Sequence, residues 1–411
     1  MFLKNLTAKI VRFPLDKKIF SNIILIVVFW AIFDGTFSYL IPIFFSEIGL
    51  TKTQVGLIIS TSSFFGATFD FLLSRFFKQT HYRRLFLFFY ILCSIFPLVL
   101  WSSSRLLFLS VIAMAIWGLY YDLINFAIFD FIGNHSKSNN SQRFGIISIA
   151  RGVGISIAPT VAGALITGMV TFTPFLVALV FLFISFLFYL VLVKLSFKDT
   201  QIVLPRRCRS DFAKEFSIWR KIGFIIFPVL LFNIFLSSFD AAFWVIGPLF
   251  SQDFPEFKDF GGLFMLMYTV PSLLTCWFVS KINKRFGKKK TAFIAFLIGN
   301  IILFPLFIIK IPLLILITVF ISSLIFSIAW PSINGAYGDY IYESEKYDRE
   351  IEGLSDFSTN FGWIIGPIFA GLIADNFSVS ATFSFLAGFN ILLSIVLLIF
   401  TPKHINIEIK K

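Results

Sequence analysis

Long apolar runs separated by short polar, basic segments dominate the chain. A helix crossing a hydrocarbon core about 30 Å thick takes roughly 20 apolar residues. Runs near 19–45, 53–77, 83–102, 105–133, 143–168, 172–194, 220–250, 259–282, 290–310, 312–342, 353–376 and 380–401 meet that requirement. The pattern predicts an all-α membrane protein of twelve transmembrane helices, with short turns at 102–105 and 310–312 dividing the closest pairs. The longest polar stretch, 195–219, carries Arg206, Arg207, Arg209 and Lys214 and reads as a cytoplasmic linker. It separates an N-terminal six-helix half, 1–194, from a C-terminal half, 220–411.

Composition agrees. Of 411 residues, 58% are hydrophobic and only 14% charged, with a mean hydropathy of +0.89. Soluble domains carry nearer 25% charged residues. The net charge of +13 does not form a continuous basic face, so nucleic acid is not an expected partner. Placing the N terminus inside puts 30 of the 35 basic residues in inner segments and four in outer loops, with Arg151 inside a helix. That asymmetry is the positive-inside pattern, and it supports an even helix count with both termini cytoplasmic. The plasma (inner) membrane of a prokaryote is the expected location. The first apolar run is too long for a cleavable leader, and no small-residue cleavage site follows it. Cys93, Cys208 and Cys276 lack metal-ligand spacing, and His81, His135 and His404 fall in expected loops or the tail. No metal or cofactor is expected, and no phosphate-binding loop is present to drive transport with ATP.

The halves repeat each other. At a spacing of 206, Phe33-Asp34-Gly35-Thr36-Phe37 falls on Phe239-Asp240-Ala241-Ala242-Phe243, Pro42 on Pro248 and Gly56 on Gly262. At 209, Asn125 falls on Asn334 and Asp130 on Asp339. At 208, Gly154, Pro159 and Gly163 fall on Gly362, Pro367 and Gly371. Six helices per half give both halves one orientation, a parallel repeat about an axis normal to the membrane.

Acids at bilayer depth are costly and therefore candidates for function. Asp34 lies about 15 and 11 residues from the ends of its run, and Asp240 is its repeat mate. A carboxylate that is expensive to keep charged suits proton coupling; the alternative is a structural hydrogen bond to a neighbouring helix. Asp122 and Arg151 each lie eight residues, about 12 Å, from the inner ends of adjacent helices. They form a candidate ion pair, functional or merely neutralising. Trp30, Asp34 and Ser38 share one helix face, as do Asn233, Ser237, Asp240 and Trp244 on the seventh helix. Tyr121 with Asn125, and Trp330 with Asn334 and Tyr337, do so on the fourth and tenth. Together these faces hold more acid than base and are edged by aromatic rings, a set of groups that suits a lipophilic cation.

Gly154, Pro159 and Gly163 on the fifth helix, and Gly362, Gly366, Pro367 and Gly371 on the eleventh, form a glycine–proline helix-packing pattern. The loop after the eighth helix reads Arg285-Phe286-Gly287-Lys288-Lys289, with Lys284 before it. The loop after the second keeps basic character in Lys78, Arg83 and Arg84, with Asp70 as a displaced acid. In these features the chain resembles the major facilitator superfamily over nearly its whole length. The resemblance implies the fold, a fifth-helix motif associated with antiporters, inner-gate loops at Asp70, Arg83, Arg84, Arg285, Gly287 and Lys288, and a central cavity lined by helices one, four, seven and ten. The family's acid before Arg285 is replaced by Lys284, and its fourth-helix arginine is absent.

The expected function is secondary active transport of a small solute by alternating access, with proton-coupled export of a lipophilic or cationic compound ahead of proton-coupled uptake of a sugar or other metabolite. A polytopic membrane enzyme would need clustered Asp, His or Ser/His groups that the chain does not display, and a non-transporting receptor is the remaining alternative. The expected partners are the solute, a proton and membrane lipid, with the chain acting as a monomer.

Overall fold

The structure is a computed structural model. It describes residues 2–76, 82–135, 140–166, 168–195, 212–253, 262–275, 278–344 and 347–402, without the side chains of 2–17, 70–76, 133–135, 140–142, 212–216, 253, 348 and 349. Most of the expected linker, the side chain of Asp70, and Lys78, Cys208 and Cys276 lie outside the described residues.

Helix occupies every one of the expected apolar runs, and no strand occurs among the described residues. The first six helices are α1 (Phe2–Glu47), α2 (Lys52–Phe76), α3 (Tyr82–Ser102), α4 (Phe108–His135), α5 (Asn140–Leu165) and α6 (Thr173–Leu195). They are followed by α7 (Phe212–Ile225), α8 (Phe227–Asp253), α9 (Gly262–Thr275), α10 (Val279–Phe286), α11 (Lys288–Leu303), α12 (Pro312–Ser344), α13 (Asp348–Asn376) and α14 (Val379–Phe400). By length and composition ten helices among the described residues can cross a membrane, or up to eleven if α9 and α10 count as one bent span. The chain is an integral, polytopic membrane protein.

Two expected segments are broken. The seventh divides at Ile226, just ahead of Pro228, which has no N–H to continue a helix. The eighth turns by 68° between α9 and α10, past Pro271. At the other extreme α1 is a single helix of 46 residues, longer than a bilayer requires, and only Lys18–Glu47 qualifies as a span.

Lipid-facing surface is apolar: Phe183 and Leu187 on α6 and Phe389 and Leu392 on α14 are all exposed. In hydrocarbon that exposure carries no penalty, and the helices keep their backbone polar groups paired internally. Polar side chains turn inward. Ser185 of α6 donates to the Ile26 carbonyl of α1 at 2.9 Å and pairs with the Tyr90 hydroxyl of α3 at 2.7 Å.

Helices α1–α6 pack on one another, and α8–α14 do the same; the two sets meet mainly through α2 against α13, α5 against α9, and α1 against α8. The closest approaches lie at the end where α1 finishes and α2 begins. A Cβ added at Gly56 of α2 would sit 2.1 Å from the Pro367 carbonyl oxygen of α13, and one added at Gly262 of α9 would sit 2.1 Å from that of Pro159 on α5. No side chain fits either place. Glycine at both places lets the neighbouring helix backbone press directly against the proline turn. Gly56–Pro367 and Gly262–Pro159 are the same contact repeated at the spacings that align the halves. Within each set, Gly154 approaches Ala31 of α1, and Gly362 and Gly366 approach Ser237 and Ser238 of α8. Gly371 approaches Lys52, while Gly163 is buried in α5.

At the same end Asp375, near the close of α13, caps a helix to which it does not belong. Its Oδ1 accepts from the Lys52 N–H at 3.0 Å. Its Oδ2 accepts from the Thr53 N–H at 2.8 Å and the Thr53 hydroxyl at 2.6 Å. Those amides open α2 and have no partner within their own helix.

Candidate functional site

A cavity of about 450 Å³ lies between the two sets of helices. Asp34 and Ser38 reach it from α1, Trp117, Tyr121 and Asp122 from α4, Asp240 and Trp244 from α8, and Trp330 from α12. Thus three carboxylates and four of the expected cavity residues other than Asp34 and Asp240 (Ser38, Tyr121, Trp244 and Trp330) share one chamber. No Lys, Arg or His is among its lining residues.

The wall is broader than four helices. Ser62, Ser63 and Gly66 of α2, Ile155 of α5, and Thr359, Asn360 and Trp363 of α13 also line it. Periodicity on a single helix missed these residues because α2 and α13 are the contact helices, and only the face left over from packing is turned to the cavity.

Asp34 is nearly fully buried, 5% exposed. Its Oδ1 accepts from Trp117 Nε1 at 2.9 Å and from the Tyr120 hydroxyl at 2.8 Å, both on α4. Ser38 donates to the Asp34 carbonyl at 2.9 Å. Tyr120 is itself fixed among Phe33, Phe89 and Phe96. Asp240 is held by one donor, the Tyr268 hydroxyl of α9 at 2.6 Å. Trp117, Tyr120 and Tyr268 escaped the sequence reading; an indole and a phenol one turn apart on the fourth helix were the available signal for the first two.

Arg151 does not pair with Asp122. Its guanidinium donates to Asn125 Oδ1 at 2.6 Å and to the Tyr121 hydroxyl at 3.3 Å, and it lies 5.1 Å from the Trp30 ring centroid and 5.2 Å from that of Tyr121. The reason is angular. Tyr121 and Asn125, four apart, share the face of α4 that meets Arg151. Asp122, one residue round the helix, points instead toward α2, where a Cβ at Gly66 would lie 3.0 Å from its carboxylate. Trp30 and Asn125 therefore form a layer behind the cavity wall with Arg151.

Several other expected cavity residues lie elsewhere. Asn233 is 1% exposed and donates to Ser358 at 2.7 Å and Thr359 at 2.9 Å, tying α8 to α13. Ser237 is buried against Gly362 in the same seam. Tyr337 is buried, Asn334 is exposed, and neither lines this cavity. Of the loop residues, Arg84 and Arg285 are exposed, the Arg83 carbonyl accepts from Tyr189, and Gly287 joins α10 to α11 at a φ of 83°. Lys288 pairs with Asp339 and donates to the Gly335 carbonyl at 3.1 Å. No group of residues able to hold a metal ion occurs among the described residues.

A side pocket of about 230 Å³ adjoins the cavity at Asp240, Trp244 and Trp330. Hydroxyl residues of α5, α9 and α12 line it, together with Phe239 and Phe326.

The sequence model of the Major Facilitator Superfamily matches residues 23–347. The chain belongs to that superfamily. It is accordingly a transport protein rather than an enzyme. Solved structures of similar superfamily fold include a mutant form of the nucleoside transporter NupG, 16% identical over 94% of this chain and 100% of that one, with a TM-score of 0.71. A bacterial homologue of the human lysosomal transporter Spinster, in an inward-facing and unoccupied conformation, is 14% identical over 94% and 95% of the chains, with a TM-score of 0.67. A POT family transporter in complex with 5-aminolevulinic acid is 14% identical over 93% and 96%, with a TM-score of 0.70. At these identities the likeness is one of fold. No curated protein sequence matches the chain.

Proposed function

We propose that this protein is a secondary active transporter that exports a lipophilic cation in exchange for protons. One observation carries the reading: Asp34, Asp122 and Asp240 converge on an aromatic-walled cavity whose lining includes no basic residue. A cation entering it meets carboxylates and the faces of Trp117, Trp244, Trp330 and Trp363, so both charge and cation–π attraction favour it. Protons compete for the same carboxylates, which gives exchange a physical basis: the site is occupied by cation or by proton.

In this reading the chain crosses the plasma membrane of a prokaryote twelve times, as a monomer, with 1–194 and 220–411 as repeated halves and both termini inside. The close approaches at Gly56 and Gly262 then lie at the outer end, and the structure is the inward-facing state of an alternating-access cycle. The paired contacts at the repeat spacings support this arrangement. Asp34, with two donors already on one oxygen, is the proton-coupling group; Asp240, with one donor, is the group that exchanges proton for cation.

The test is flux in proteoliposomes. With an imposed pH gradient, a fluorescent lipophilic cation should move against its own gradient, and dissipating the pH gradient should abolish that movement. Accumulation of a neutral sugar under the same gradient, with no cation movement, would replace export with metabolite uptake.

A further inference from the structure

The first turns of α3 and α11 stand at the spacing of the two halves and are finished differently. At 206, Tyr82, Arg83 and Arg84 fall on Lys288, Lys289 and Lys290; at 209, Asp130 falls on Asp339. Asp130 accepts from the Tyr82 N–H at 3.0 Å and so caps α3. Asp339 is drawn instead to the Lys288 ammonium. The residue ahead of α11 is Gly287, which has no side chain with which to cap it. The amides that open α11 therefore keep the partial positive charge of a helix start. A Cβ added at Gly287 would meet nothing within 4 Å, so the space in front of the helix is open.

A cavity of about 670 Å³ adjoins that helix start, at the end of the bundle opposite the Gly56 and Gly262 contacts. Lys288, Lys289 and Lys290 line it against Asp339 and Glu343, which leaves one positive charge in excess. Two of the lysines are engaged. Lys288 holds Asp339 and the Gly335 carbonyl, and Lys289 donates to the Pro402 carbonyl at 2.9 Å, with its ammonium 5.9 Å from the Tyr340 ring centroid. Lys290 is exposed and has no partner among the described residues. In the same lining Tyr340 is 5% exposed, and its hydroxyl, like that of Thr401, makes no hydrogen bond. Lys290, the α11 amides and these hydroxyls are donors left over, and an oxygen-rich anion supplies what they lack. Phe293, Leu397 and Leu398 form apolar wall. Next along α14, Ile399 and Phe400 are 69% and 76% exposed, on the apolar surface that faces lipid.

We infer that this cavity is a site for a phosphate diester, the headgroup of an anionic phospholipid whose acyl chains lie along the end of α14. One phosphate diester carries the single negative charge that balances the lining. Its oxygens accept from Lys290, the first amides of α11 and Tyr340. A lipid seated there joins α11, α12 and α14, so membrane composition acts on the second set of helices without entering the transport cavity. The site is independent of what the main cavity carries.

The test uses purified full-length protein in detergent and three probes: dioleoylphosphatidylglycerol, dioleoylphosphatidylcholine and inorganic phosphate, with bound lipid read by native mass spectrometry. Phosphatidylglycerol should bind roughly tenfold more tightly than phosphatidylcholine, the worth of one charge-assisted hydrogen bond. Lys290→Gln should reduce that preference roughly fivefold, and Tyr340→Phe should lower phosphatidylglycerol affinity roughly threefold. Tyr340→Phe deletes a hydroxyl that has no partner, so it leaves no other group unpaired. Lys284→Gln is the control: Lys284 is exposed on α10 and does not line the cavity, so the preference should not change. Equal binding of the two lipids overturns the site. So does an equal loss in Lys284→Gln and Lys290→Gln, which would mean diffuse attraction to a basic surface. Inorganic phosphate that displaces phosphatidylglycerol at equal concentration overturns the lipid as occupant.

Discussion

Asp34 and Asp240 stand at the 206-residue spacing of the proposed repeat and live in different surroundings. Asp34 is gripped by an indole and a phenol from α4 and backed by the Arg151 layer. Asp240 has a single phenol, from α9, and faces two cavities. The difference is written in the repeat itself. At the spacing that aligns Asn125 with Asn334, Trp117 falls on Phe326 and Tyr120 on Ala329, so neither donor has a counterpart in the second half. Arg151 falls on Thr359 at the spacing of the glycine–proline motif. At these spacings the two acids match while their partners differ. One copy is held by two donors and lines one cavity; the other is held by one donor and lines two.

The largest expected effect is the one that would erase this contrast. Asp240→Asn should weaken binding of a lipophilic cation roughly 10- to 100-fold, the worth of a charge-assisted contact. Asp34→Asn should leave binding within about threefold but abolish accumulation driven by a pH gradient. Isothermal titration beside proteoliposome flux measures both, and matching losses in the two variants would end the division of labour. In the unaltered protein, binding should tighten as pH rises, because the cation needs the ionised carboxylate and protons compete for it. Asp240→Asn should flatten that slope more than Asp34→Asn does.

A second experiment makes the surroundings of Asp240 resemble those of Asp34. Phe326→Trp restores an indole at the position equivalent to Trp117, in the wall of the side pocket. The added ring fills space beside Asp240 and should lower the affinity for a lipophilic cation roughly tenfold, read by the same titration. Smaller again is the effect on stability. Tyr120→Phe takes one of two donors from the buried Asp34 carboxylate and should cost about 1–3 kcal/mol. Tyr268→Phe should cost less, because cavity water can reach Asp240; denaturation midpoints in detergent would order the two.

The apolar runs made most of the helices legible, because each is a continuous stretch with little else it can be in a membrane. The breaks at Ile226 and between α9 and α10 were not, since prolines occur equally inside intact helices here, as Pro97 and Pro159 do. Asp34, Asp240, Tyr121, Trp244 and Trp330 were readable as polar groups at regular spacing on apolar helices. Asn233 and Ser237 satisfied the same rule and became a seam between α8 and α13, because spacing defines a face but not what the face meets. Arg151 shows the limit most clearly: depth along two helices suggested Asp122, and the azimuth, which only packing sets, delivered Asn125 and Tyr121.

The smallest prediction concerns Asp375. Replacing it with Ala removes three hydrogen bonds at the start of α2, and loss of a helix cap shifts an equilibrium by several-fold to about thirtyfold. The altered protein should expose its cavity to the opposite face more often, read as faster alkylation of a cysteine introduced there. The arrangement has a further consequence. A cap that belongs to another helix is a seal made of one carboxylate and one helix dipole, and such attraction weakens as dissolved ions screen it. The resting closure of this transporter should therefore loosen in brine and tighten in fresh water, making the salinity of the medium a regulator of its gate.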